Sequence, residues 1–319
     1  DLIPNPPSLH RSAMLSLLFP GQGSQFVGMG RDLVEAFPAA RALFDEADDA
    51  LGFDLSRVMF DGPGDELTAT RNAQPALLVH SVAALRLIED RLGPVAFTAG
   101  HSLGEFSAHV AAGTLSFADA VRAVRRRGEL MFDSGEERPG TMAAIIGLDD
   151  ADVEGVCAGV ESGVCVPANF NSPGQVVISG DVEAVEEGMQ RAVDAGARKA
   201  VRLQVSGAFH SPLMQDAAAG LQAFLSDLSF ADPSLPVVSN VTAGAVTSGE
   251  EARDLLIRQV TSPVRWAASI RFMVDAGATR FLEVGPGSVL RGLQRRIARE
   301  APCTSVGTLE QVQALEVES

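Results

Sequence analysis

Ala99-Gly100-His101-Ser102-Leu103-Gly104-Glu105 stands between a short apolar run, 95–99, and a segment of helix formers that stops at Gly113. The run suits a buried strand and the segment, 105–112, suits a helix. Gly100-x-Ser102-x-Gly104 therefore places a serine on a tight strand-to-helix turn, the pattern of a nucleophile elbow. Flanking glycines let the backbone turn sharply and let another group come close. The helix N-terminus points backbone N–H groups at any negative charge that develops beside the serine. Three fixed positions recur by chance. The pattern alone leaves open both an activated serine and an incidental one on a Gly-rich turn.

Outward from the elbow, strand and helix patterns alternate, so the fold class is α/β. Residues 15–19 read as a strand that runs into Pro20-Gly21-Gln22-Gly23-Ser24-Gln25. This loop lacks the Gly-Lys-Ser/Thr ending of a phosphate loop and the spacing of a dinucleotide fingerprint. It does place backbone N–H groups at the end of a strand, where α/β ligand sites gather. Residues 31–51 read as one or two helices around Pro38, and 70–92 as a long helix with Pro75 near its start. Ser116 caps a helix over 117–132, with Asp119 at the capping-box position. A charged Gly- and Pro-bearing link, 135–140, marks a subdomain boundary.

The next unit reads β, 142–148; α, 150–158; β, 164–170; β, 175–179; α, 182–195; β, 200–205. The order βαββαβ is that of a ferredoxin-like subdomain. Helices over 213–225, 252–260 and 264–276 follow, with strands at 236–240 and 280–284. A basic helix covers 288–299. From Thr304 the pattern weakens, and a frayed tail is expected. The domain reading is thus 14–139 with 206–303 as one core, 140–205 as an insert, and 304–319 as a tail. Residues 1–13, with three prolines and no periodicity, read as a remnant ahead of a natural start at Met14.

The chain has 319 residues and a net charge of −16, which argues against nucleic acid because phosphates would be repelled. No apolar run reaches the ~18 residues of a membrane helix, and no signal-peptide core is visible, so a cytoplasmic protein is expected. The three cysteines, Cys157, Cys165 and Cys303, are too scattered for a disulfide frame or a zinc site, and no metal is expected. Two arginine clusters stand out: Arg122, Arg125, Arg126 and Arg127, and Arg291, Arg295, Arg296 and Arg299. Most arginines in such clusters cover a solvated helix face.

Five stretches share an order and a spacing. They are Phe19-Pro20-Gly21-Gln22-Gly23-Ser24-Gln25, Gly100-His101-Ser102-Leu103-Gly104-Glu105, Arg127-Gly128 with Met131, Gly207-Ala208-Phe209-His210-Ser211, and Val284-Gly285-Pro286-Gly287. Together they resemble the malonyl-CoA:acyl-carrier-protein transacylases, over Met14 to about Arg299. The resemblance implies an α/β-hydrolase-like core with a parallel sheet and an inserted ferredoxin-like subdomain. It also implies ping-pong transfer of malonyl, from malonyl-CoA to a serine and then to the phosphopantetheinyl thiol of an acyl carrier protein. No bound cofactor is expected, and a monomer is.

On that resemblance Ser102 is the nucleophile and His210 its base. A serine hydroxyl needs a base to attack, and imidazole titrates near working pH. His10, His80 and His109 read as ordinary core or surface histidines. No acidic residue between Ser102 and His210 carries a motif that marks it as a third member. The resemblance implies instead the backbone carbonyl of Gln259, holding the ring. Leu103 N–H, from elbow geometry, and Gln22 N–H, from the resemblance, supply an oxyanion hole. Arg127 is assigned to the malonyl carboxylate, since burying that charge unpaired costs several kcal/mol and a guanidinium can hold it with two parallel bonds. Met131 and Phe209 shape the acyl pocket. Gln74 either lines it or supports it through hydrogen bonds.

Two other classes stay open. A serine hydrolase or thioester editing enzyme shares the elbow, and a carrier-binding module shares the fold. A bulkier extender unit such as ethylmalonyl, and a polyketide rather than a fatty-acid pathway, also fit the motifs. The acidic carrier must find a local basic patch on an acidic chain. Arg291, Arg295 and Arg296 are the candidates.

Overall fold

The structure, a computed structural model, describes residues 14–316. The readings made for 1–13, His10 and the last three residues lie outside them. Ten strands run in chain order: β1 Leu15–Phe19, β2 Val95–Gly100, β3 Gly140–Ile146, β4 Cys165–Ser172, β5 Gln175–Asp181, β6 Lys199–Arg202, β7 Val237–Val238, β8 Ala245–Val246, β9 Arg280–Val284 and β10 Cys303–Val306. They form a six-stranded sheet, β10-β9-β1-β2-β7-β8, and a four-stranded sheet, β4-β5-β3-β6. The large sheet is parallel except for the β7–β8 pair. The small sheet is antiparallel.

β1 is buried along its whole length because it lies inside the large sheet with helices on both faces. Side chains alternate along a strand. Leu15, Leu17 and Phe19 accordingly join one apolar cluster, with Phe44, Leu78 and Phe106, while Leu18 joins the other, with Trp266, Ile270 and Phe281. β1 and β2 end together, with Phe19 opposite Gly100. That register sets the Gly-rich loop and the elbow side by side at the carboxyl edge of the sheet, where parallel sheets place ligand sites.

The elbow glycines are required by space. A Cβ on Gly100 would fall 1.8 Å from the Gly104 carbonyl carbon, and one on Gly104 would fall 2.1 Å from Phe19 O. The turn, the helix Gly104–Ala111 and the end of β1 thus close on one another through bare backbone.

The 31–51 segment, read as one or two helices around Pro38, is two, Arg31–Ala36 and Pro38–Leu51, with Pro38 at the first turn of the second. Other boundaries differ from the sequence reading. The helix Phe117–Glu137 runs through Gly135, so the expected link begins later. Position 135 is a glycine inside the helix because Ser206 O would lie 2.1 Å from a Cβ there. Cys157 and Cys165, read as scattered, meet with sulfurs 3.8 Å apart inside the small sheet's core.

The expected frayed tail is corrected most fully. β10 pairs in parallel with β9. Its Ser305 is buried and donates to the buried Glu283 carboxylate (2.9 Å). The helix Leu309–Ala314 follows, closed by a Thr308–Gln311 capping box and tied back by Leu309 N–H to Asp32 (2.7 Å). No helix among the described residues is long and apolar enough to cross a membrane.

Candidate active site

Ser102 sits at φ 51°, the left-handed region that costs a side-chain-bearing residue about 1–2 kcal/mol. Asn240 offsets this strain from behind. Its Oδ1 accepts from Ser102 N–H (2.7 Å) and its Nδ2 donates to Gly100 O (2.7 Å). His101 N–H donates to Phe19 O (3.0 Å), locking the turn to β1.

His210 also has a left-handed backbone, φ 58°. Its Nε2 lies 2.8 Å from Ser102 Oγ and its Nδ1 2.9 Å from Gln259 O. A backbone carbonyl only accepts, so Nδ1 carries the proton and the Nε2 lone pair faces the serine O–H. Burial, and then the Arg127 charge, push the imidazole down to about 3. The ring is therefore neutral at neutral pH, with its Nε2 lone pair turned to the serine hydroxyl.

The four clustered arginines separate by what surrounds them. Pro75 lies inside the helix Thr70–Arg86 and lacks an N–H, which frees the carbonyl of Arg71. Arg125 donates to that carbonyl (3.1 Å), to Asn72 Oδ1 (2.6 Å) and to Glu129 (2.6 Å). Arg122 pairs with Asp119 and Arg126 with Glu129. Arg127 alone of the four is fully inside, 1% exposed. It arrives there because Gly128 lets the two helices touch: a Cβ on Gly128 would sit 2.7 Å from Arg71 Cα. Its guanidinium donates to Gln74 Oε1 (2.7 Å), Gln259 Oε1 (2.9 Å) and Ser102 Oγ (3.2 Å), while Nε has no partner. Burial pushes it down only to about 10, so it stays charged.

A cavity of about 330 Å³ opens over Ser102 and His210. Gln22, Gly23 and His101 line it from the large sheet, Met142, Asn169 and Leu203 from the small sheet side, and Phe209 closes it beside the histidine. Of the residues singled out from the sequence, Ser102, His210, Gln22 and Phe209 line this cavity. Leu103 begins the elbow helix with its side chain buried, which leaves only its backbone near the serine. Met131, Gln74, Gln259 and Arg127 do not line it; Arg127 lies buried behind Ser102, reaching it through Nη2. Met131 is buried against Gln74 Nε2 (3.5 Å). Gln74 also donates to Thr70 Oγ1 (3.0 Å), which donates to Gln22 Oε1 (2.9 Å). Gln74 thus supports Arg127 and links it to the Gly-rich loop.

Three residues of the site were not found from sequence. Asn240 and Asn171, the latter 2.8 Å from His101 Nε2, lie beyond any local pattern. Glu105 had a signal: it is an acid in a helix whose residues 104–110 are all buried. The Gln259 side chain was also missed, since only its carbonyl was expected to act.

Residues 17–318 match the acyl transferase domain family. The chain is 46% identical over 301 residues to a malonyl CoA-acyl carrier protein transacylase of Bacillus subtilis, covering 94% of this chain and 95% of the relative. An acyl-carrier-protein-S-malonyltransferase from Bartonella henselae superposes with a TM-score of 0.91 at 45% identity, over 94% of this chain and 98% of that one. A malonyl-transacylase in complex with its type II PKS acyl-carrier protein superposes with a TM-score of 0.91 at 42% identity, over 94% and 98%.

Proposed function

The chain belongs to the acyl transferase family, and we infer that it transfers malonyl from malonyl-CoA to the pantetheine thiol of an acyl carrier protein. One observation carries this reading: the hydroxyl 2.8 Å from a neutral imidazole is also 3.2 Å from a buried guanidinium. A nucleophile and a carboxylate holder then act on the two ends of one three-carbon acyl group.

In the first half-reaction Ser102 Oγ attacks the thioester carbonyl while its proton passes to His210 Nε2. The Leu103 and Gln22 N–H groups are assigned to the oxyanion, and Arg127, with a spare Nε–H, to the malonyl carboxylate. Collapse breaks the C–S bond, and CoA leaves as the thiol after taking the proton from His210. The second half-reaction reverses these roles. The pantetheine thiol attacks the malonyl ester, His210 takes its proton, and collapse returns that proton to Ser102 Oγ. The Gln259 carbonyl orients the ring in both halves. No bound cofactor enters the scheme.

The division into an α/β-hydrolase-like core and a ferredoxin-like insert over 140–205 is part of the same reading. It is supported by the small sheet, whose four strands all fall in that range, with helices Asp150–Ala158 and Val182–Asp194 after its first and third strands.

Incubation with malonyl-CoA alone is expected to release one CoA per enzyme and leave a malonyl ester on Ser102, visible by mass spectrometry. Addition of holo carrier protein should start steady turnover. Continuous CoA release without the carrier would make the protein a hydrolase instead.

The carrier's docking surface is read at the helix Val289–Ile297. Glu283 holds the start of this helix by accepting from Leu290 N–H (2.9 Å) and Arg291 N–H (3.0 Å). A Cβ on nearby Gly287 would lie 3.6 Å from Ser24, so the helix begins beside the Gly-rich loop that supplies Gln22 to the cavity. Arg291 and Arg295 line one solvent-facing groove, and Arg296 reaches Gln175 (2.9 Å). Arg291→Glu with Arg295→Glu is expected to raise the carrier KM about tenfold and leave acylation by malonyl-CoA unchanged, because edge charges act on encounter. An unchanged KM places the docking surface elsewhere.

A further inference from the structure

Glu105 is completely buried one turn below Ser102, yet it hydrogen-bonds to neither the serine side chain nor His210. Its Oε2 accepts from Gln259 Nε2 (2.5 Å) and from Asn240 N–H (3.2 Å), its Oε1 makes no hydrogen bond within 3.5 Å, and the Ser239 side chain also stands by the carboxylate. The Gln259 carboxamide is thereby surrounded in a definite sense. Nε2 meets acceptors only: Glu105 Oε2, Ser102 O (3.0 Å) and Asn240 Oδ1 (3.5 Å). Oε1 meets a donor only, Arg127 Nη2 (2.9 Å). A flipped amide would set its oxygen against the carboxylate and the carbonyl, and its N–H groups against the guanidinium. Both contacts are repulsive.

We propose that Glu105 is a positioning residue for acyl selection: through the Gln259 carboxamide it fixes which end of that amide faces Arg127, and so where the guanidinium stands over Ser102. The proposal rests on the transferase reading above and adds to it the group that sets the carboxylate holder. Protonation does not undo the device. Burial pushes the Glu105 carboxyl up to about 7. A proton on Oε1 leaves Oε2 free to accept from Gln259 as before. A glutamine at 105 is the neutral analogue of that state, with its oxygen at the Oε2 place.

Glu105→Asp and Glu105→Met test the contact, and Glu105→Gln tests rescue. Aspartate is one methylene too short to reach Gln259 Nε2, and methionine has no oxygen. The readout is the ratio of kcat/KM for malonyl-CoA to that for acetyl-CoA, which has no carboxylate for Arg127 to hold. An ångström of misplacement at a reacting group costs about a hundredfold. The ratio is expected to fall about a hundredfold in Glu105→Asp and Glu105→Met and to return within about threefold of wild type in Glu105→Gln. In an Arg127→Ala background the three variants should share one ratio, since their effect passes through Arg127. If Glu105→Met does not fold, the Asp and Gln pair decides. A lowered Tm with an unchanged ratio in Glu105→Asp means a structural role only and overturns the proposal. A ratio that fails to recover in Glu105→Gln does the same. Wild-type enzyme that transfers no malonyl overturns the function itself, and this proposal with it.

Discussion

Arg127→Ala is expected to lower kcat/KM for malonyl-CoA by two to three orders of magnitude and to raise relative transfer of acetyl-CoA. The sign follows from burial. The malonyl carboxylate would enter a site where Arg127 is 1% exposed and Ser102 stands in front of it. Removing one partner of a buried ion pair costs about 3–5 kcal/mol, because the other charge is left uncompensated. That corresponds to roughly 10²–10³-fold or somewhat more in rate. Acetyl carries no such charge, and for it the substitution removes a cation and adds apolar space beside Phe106, whose ring lies 5.9 Å from the guanidinium carbon. A second consequence separates this account from simple loss of packing. Arg127 is one cause of the low His210 value, so its removal should move the acid limb of acetyl transfer upward in pH. Competition between malonyl- and acetyl-CoA, read as the mass of the acyl group on Ser102, measures the preference directly. A variant that still prefers malonyl would remove Arg127 from the site.

The elbow was legible because its constraint is steric and local. Gly100 and Gly104 have no room for a Cβ, so strand, turn and helix leave their mark on consecutive residues. Large-sheet strands with apolar runs, such as β1 and β9, were equally plain. β10 was not, because its Cys303-Thr304-Ser305-Val306 carries buried polarity in place of an apolar run. Ser305 is satisfied by Glu283, a partner 22 residues away that no window contains.

The site divides along the same line. Ser102 and His210 were found through motifs, whereas the reason that Arg127 and not Arg125 turns inward is non-local. It depends on the carbonyl freed by Pro75 and on the close helix contact at Gly128. Gln259 shows the limit best. Its carbonyl and its side chain do separate work, one on His210 and one on Arg127 and Glu105. Nothing in a helix-end glutamine announces either. The continuous chain Gln22, Thr70, Gln74, Arg127, Gln259, Glu105 draws on five segments of sequence and exists only after folding.

His210→Ala should cut the rate of Ser102 acylation about 10²–10⁴-fold, the usual contribution of a positioned base. The wild-type pH dependence tests the same residue without mutation. With the imidazole pushed down to about 3, kcat/KM for malonyl-CoA should show no acid limb near 6.5. What fails first in acid is the fold. His80, held near 4, and His109 and His210, both near 3, are buried and neutral, while in the unfolded chain each titrates near 6.5. Their folded values are depressed, so the unfolded state binds more protons as pH falls from about 6.5 toward 4. Stability is then lost at about 1 kcal/mol per pH unit for each histidine. Glu105, raised to about 7, acts oppositely: its contribution is full below its unfolded value of 4.5 and is lost as pH rises through 7. The two trends oppose each other between about 4.5 and 6.5, where the three histidines, joined by His101, which burial also pushes down, outweigh one glutamate, and stability should peak near pH 6.5–7. Activity and the fluorescence of the buried Trp266 are therefore expected to fall together on acidification. An acid limb near 6.5 in enzyme whose Trp266 signal is intact would show an imidazole that titrates freely, and the hydrogen-bonded, desolvated ring described for His210 would be wrong.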